Sequence, residues 1–78
     1  MLHPRIQIAL DFMNEILAED GITERAAERH HAHGDWTGDR NAIGIAHPVT
    51  FKQYVVLLND QDEAWSMMPK STYIDMYR

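Results

Sequence analysis

Thr50-Phe51-Lys52-Gln53-Tyr54-Val55-Val56-Leu57-Leu58-Asn59-Asp60-Gln61-Asp62 is the stretch on which the fold turns. Thr50 and Gln53 fit a helix capping box, and Phe51, Tyr54, Val55 and Leu58 would share one helical face. Yet Tyr54-Val55-Val56 is aromatic and β-branched, and such stiff side chains suit a pleated surface better than a helix turn. Asn59-Asp60-Gln61-Asp62 is turn chemistry, and a second short apolar run, Glu63 to Met68, follows before Pro69. The pattern predicts two strands, Thr50–Leu58 and Glu63–Met68. Tyr54–Leu58 should pair antiparallel with Ala64–Met68 across the four-residue turn.

Upstream, Ala42 to His47 alternates small residues with Ile43 and Ile45 until Pro48 stops it, so it reads as a further strand. Downstream, Ser71 to Tyr77 is expected to add one more strand at the edge. Gly34 to Asn41 has two glycines, two aspartates and an asparagine in eight residues and reads as a loop. It is also where the chain changes character. Leu2 to Asp20 places Ile6, Ala9, Leu10, Met13, Ile16 and Leu17 on one apolar stripe, with Pro4 in the first turn and Gly21 as a left-handed stop. Thr23 can cap a second, shorter helix over 24–33, ended by Gly34, with Ile22, Ala26, Ala27 and His30 facing inward. The expected fold is α+β: a helical hairpin over 1–33, a loop over 34–41, and a β-rich half over 42–78. Together they form one domain in which the hairpin packs on a three- or four-stranded antiparallel sheet.

The 78 residues hold 45 % hydrophobic and 24 % charged side chains, a globular balance rather than a disordered one. No cysteine is present, which excludes disulfides and thiolate metal sites. A domain this small often gains stability from a second copy, so a homodimer is a candidate assembly. The longest apolar run, Tyr54 to Leu58, is far too short to span a membrane. Arg5, Gln7, Asp11 and Asn14 interrupt the N-terminal apolar residues, so no signal peptide is expected and the cytoplasm is the expected location. Twelve acids against seven bases leave a net charge of −5, which disfavours direct contact with nucleic-acid phosphates.

Three sets of residues could carry function. Asp11, Glu15 and Glu19 recur every fourth residue on the first helix, with Asp20 beside them and no base at i+4. Their axial step of about 6 Å resembles phosphate spacing along a nucleic-acid strand. The plain alternative is a solvated helix face. Trp36, in the Gly/Asp loop, has little local core to join and could anchor a partner. Trp65, in a strand, is most simply a core residue.

The third set is histidine-rich. Glu28 and His31 have the Glu-x-x-His spacing of di-iron helix bundles, although those bundles need four helices and two such pairs. His31-Ala32-His33-Gly34-Asp35 resembles the H-x-H-x-D core of the metallo-β-lactamase metal motif. The resemblance covers five residues, Trp36 stands where a further histidine is needed, and that fold requires a much longer chain; it identifies no family. The plain alternative packs His30 on the first helix and leaves His31 and His33 at a helix C-terminus. No P-loop, dinucleotide fingerprint or calcium loop is present.

Two functions of different class are therefore expected to compete. In the favoured one the chain is no enzyme and needs no cofactor. It binds a larger protein with a basic surface through Asp11, Glu15, Glu19, Asp20 and Trp36. In general character it resembles inhibitors made by phages and mobile elements against nucleic-acid-handling machinery. In the other, His31, His33 and Asp35 hold a metal in an oligomeric enzyme or sensor.

Overall fold

The computed structural model describes residues 4–36 and 39–77, apart from the side chains of 34–36 and 39. Helix α1 (Pro4–Glu19) leads through an irregular segment and a 3-10 turn (Arg29–His31) into strands β1 (Ala32–Trp36), β2 (Asp39–Ala46), β3 (Gln53–Leu58) and β4 (Ala64–Pro69). Helix α2 (Lys70–Tyr77) follows directly. The strands form one antiparallel sheet in the order β1-β2-β3-β4. The α+β class stands, with four strands among the described residues.

The decisive stretch is β, not helix. Val55 pairs with Met68, Val56 with Met67, Leu57 with Ser66 and Leu58 with Ala64. Asn59 builds the turn between them. Its Oδ1 accepts from the backbone N–H groups of Gln61 (2.9 Å) and Glu63 (3.0 Å), and Asp62 takes a left-handed φ of 61°. That is the local bonding for which asparagine is favoured in turns. The strand starts at Gln53 rather than Thr50, because residues 48–50 are spent on the β2–β3 turn.

Strand alternation gives the sheet two covered faces. Ile43, Ile45, Val56 and Leu58 point to one face, where Ala9, Leu10, Met13 and Leu17 of α1 close the main core. Ala42, Val55 and Leu57 point to the other, covered by Tyr73 of α2. The predicted apolar stripe of α1 is the buried one, with Ile6 and Ile16 half-buried at its edges. The helix ends as expected. The N–H of Gly21 donates to the Ala18 carbonyl (3.1 Å) and that of Ile22 to the Leu17 carbonyl (2.9 Å), with Gly21 at φ 77°. This is a Schellman stop, and Ile22 folds back onto the core.

Four expectations are corrected. No second helix spans 24–33. Asn14 of α1 reaches across and takes both backbone groups of Ala27, accepting its N–H at 2.7 Å and donating to its carbonyl at 3.1 Å. A helix would need those same groups for its own ladder. Residues 34–41 are not a loop, since β1 runs to Trp36 and β2 starts at Asp39, opposite it. The pairing partner of each segment is the other, which local composition does not reveal. Residues 37 and 38 of that expected loop, and Leu2 and His3 of the expected first helix, lie outside the described residues. Residues 71–77 form α2 rather than an edge strand, with Tyr73 buried and stacked on Tyr77 one turn later (ring centres 5.0 Å apart). Trp65 is 57 % exposed rather than core. The β3–β4 register shifts between Leu57 and Leu58, so Trp65 falls at an irregularity and leaves the alternation.

Arg5 ties the layers together. This buried guanidinium of α1 donates through Nη2 to the Arg40 carbonyl (2.7 Å) and to Asn41 Oδ1 (2.5 Å), and it forms an ion pair with Asp62 of the β3–β4 turn. Three elements far apart in sequence meet on one fixed planar donor.

Candidate functional site

The acidic residues of α1 are displayed as their spacing predicted. Asp11, Glu15, Glu19 and Asp20 are all exposed, on a helix whose orientation is set by the buried residues behind them. Asp11 accepts a hydrogen bond from Gln7 Nε2 (2.8 Å). Among the described residues, none of the four carboxylates forms a salt bridge with a lysine or arginine. The stripe is thus an un-neutralised negative face on the longest element. Trp36 ends β1, and its side chain lies outside the described residues.

The histidines divide differently from expectation. His31, expected at an open helix end, is buried, whereas His30 is exposed. The 3-10 turn produces this inversion. It brings the N–H of Glu28 onto His31 Nδ1 (2.8 Å) and lays the His30 ring 4.0 Å from that of His31. Burial, and next the neighbouring His30, hold the His31 pKa below its ordinary 6.5, against the opposing pull of Glu28. His33 is exposed on β1, and the Asp35 side chain lies outside the described residues. Among the described residues, no three histidine or carboxylate side chains converge as a metal site would require.

Several features left no readable trace in the sequence. His47 is buried and accepts from two backbone N–H groups of the turn that follows it. Phe51 sits on that turn at φ 63°, 66 % exposed, beside the exposed Val49. A depression of about 300 Å³ lies between Pro48, Val49 and Phe51 on one side and Glu24 and Arg25 on the other. A neighbouring one of about 260 Å³ runs past Arg25, Ile22 and Ala26 to Asn14, Leu17 and Ala18 of α1. Met76 and Tyr77 on α2 add to the exposed apolar surface.

No helix among the described residues is long and apolar enough to cross a membrane. Comparison with known proteins returns no matching protein-family model, no matching curated protein and no matching solved structure.

Proposed function

We propose that this chain is a small acidic protein-binding module without enzymatic activity, an inhibitor or regulator of a larger partner that handles nucleic acid. It docks the outer face of α1 on a basic surface of that partner, in the cytoplasm, in the manner of phage or mobile-element inhibitors. The observation that carries the reading is the stripe of exposed carboxylates, without a lysine or arginine partner among the described residues, on a helix whose other face is buried in the core. Acidic residues that step about 6 Å along the axis of a helix suit a surface built to receive phosphates. Such a face would speed encounter and set register, with apolar contacts supplying the remaining affinity. Trp36 is the proposed apolar contact, since tryptophan dominates interface hot spots.

The test is charge reversal. The triple substitution Asp11→Lys, Glu15→Lys, Glu19→Lys should keep the circular dichroism of the wild type and lose capture of a basic partner. Wild-type binding should weaken as salt rises, because screening shortens the reach of exposed charge to about 8 Å at physiological ionic strength. A folded triple mutant that binds as tightly as wild type would reduce the stripe to a solubility feature. Elemental analysis of the untagged protein runs alongside. Stoichiometric zinc or iron would instead favour an assembled metal site at His31, His33 and Asp35.

A further inference from the structure

His47 directly follows β2 and is only 6 % exposed, and its ring turns back over the connection it opens. Nδ1 lies 3.1 Å from the backbone nitrogen of Val49 and 3.1 Å from that of Thr50, and it accepts from both. Backbone bonds close the same turn. Phe51 N–H donates to the His47 carbonyl (3.0 Å), and His47 N–H donates to the Lys52 carbonyl (2.8 Å). An imidazole nitrogen accepts only while it keeps its lone pair, so this arrangement requires the neutral ring with its proton on Nε2. Protonation would turn Nδ1 into a donor facing two donors.

The turn held this way is not a relaxed one. Phe51 adopts φ 63°, a left-handed conformation that a bulky residue rarely takes, and its side chain recovers little by burial at 66 % exposed. Such a conformation persists where its surroundings over-determine it. Here those are the His47 bonds and the fully buried Pro48. The titratable and charged groups on the elements that flank His47 and its turn come from four places. Tyr54 of β3 stands 5.9 Å away between ring centres. Lys52 belongs to the turn itself, and Glu24 and Arg25 face the turn across the depression. His30 and His31 precede Ala32, the β1 partner of Ile45.

We propose that His47 is an acid-released latch for the Pro48–Lys52 turn. The neutral ring fixes the presentation of Val49 and Phe51 beside the depression shared with Glu24 and Arg25. Protonation of the ring removes that acceptor, frees the turn and dissolves the depression, while the four-stranded sheet persists. The sheet survives because β2 and β3 pair from Ala46 and Gln53 inward, through backbone bonds that do not involve the imidazole.

Amide hydrogen exchange, expressed as protection factors, tests this residue by residue. Protection of Val49 and Thr50 should fall about tenfold between about pH 7.5 and about pH 5, the scale of one lost hydrogen bond, with Val56 of β3 unchanged. His47→Asn places a non-titrating oxygen near the Nδ1 position and should abolish that fall. Loss of protection that persists undiminished in a folded His47→Asn variant would overturn the latch, as would equal protection at both pH values in the wild type. Should the variant not fold, the imidazole ¹⁵N shifts of wild-type His47 decide. Nδ1 must be unprotonated at neutral pH and become protonated together with the loss of Val49 and Thr50 protection. A ring that stays neutral while the turn opens would sink the proposal.

Discussion

The β2–β3 and β3–β4 turns solve one problem with different chemistry. Each reverses the sheet, and each places a non-glycine residue in the left-handed region, Phe51 in the first and Asp62 in the second. In each, one side-chain acceptor gathers two backbone N–H groups: His47 Nδ1 takes those of Val49 and Thr50, and Asn59 Oδ1 takes those of Gln61 and Glu63. The Asn59 turn uses a residue that tolerates such bonding at any pH, and its left-handed residue is an aspartate, one of the types that visits that region readily. The His47 turn uses a titratable acceptor and strains a phenylalanine. The second turn is also tied to the core through Arg5, which ion-pairs with Asp62, while Asn41 Nδ2 donates to Asp60 Oδ1 (3.4 Å). One turn is built to stay closed, and the other depends on the state of a single ring.

The largest effect that would break this comparison belongs to Arg5. Arg5→Ala removes donors from the Arg40 carbonyl and Asn41 Oδ1 and unties Asp62, so chemical denaturation should show a loss of about 2–4 kcal/mol. The loss should come with faster amide exchange at residues 59–63 and little change at 48–51. Equal loosening of both turns would show that Arg5 supports the sheet as a whole and would remove the asymmetry. Next in size, Asn59→Ala leaves two N–H groups without their acceptor and should lower stability by about 1–2 kcal/mol, at acid and neutral pH alike.

Relief of strain sharpens the contrast in the opposite direction. Phe51→Gly should raise the melting temperature, because the left-handed penalty of about 1–2 kcal/mol disappears and exceeds the extra freedom glycine adds to the unfolded chain. A lower melting temperature would mean that the exposed ring contributes packing that its 66 % exposure does not suggest.

A further acid response comes from His31. Its folded pKa is below the ordinary 6.5, so its contribution to stability is complete above 6.5 and lost as pH falls through the folded value. Melting temperature should therefore decline below about pH 6.5, and His31→Asn should flatten that decline without restoring the Val49 and Thr50 amides. The smallest effect is expected on α1. Replacing Asp11, Glu15 and Glu19 by lysine should shift stability by no more than about 0.5 kcal/mol each, since all three are exposed and lysine suits a helix.

Legibility followed the range of the interactions. The α1 stripe, the Gly21 stop, the β3–β4 hairpin and the acidic face were all readable, because each rests on residues within a few positions of one another. The candidate acidic site could be placed for the same reason: spacing of four puts Asp11, Glu15 and Glu19 together whatever the rest of the chain does. Trp65 was misplaced because a register irregularity moved it out of alternation, a property of two strands together rather than of one. The histidine cluster was misplaced because residues 24–33 were expected to be helical, and that expectation failed at Asn14, thirteen positions from Ala27.

By itself, the sequence determined that these residues fold as an acidic α+β unit, with an amphipathic first helix and a hairpin at Asn59–Asp62, because hydrophobic periodicity and turn chemistry act locally. Tertiary structure decided the rest. It drew residues 32–36 into a strand against β2, turned 70–77 into a helix over the second sheet face, and buried Arg5 against the Arg40 carbonyl and Asn41. The physical reason is that a buried polar group needs a partner, and Arg5 reaches its own, 35 and 36 positions away, only when the packed core brings α1 beside β2.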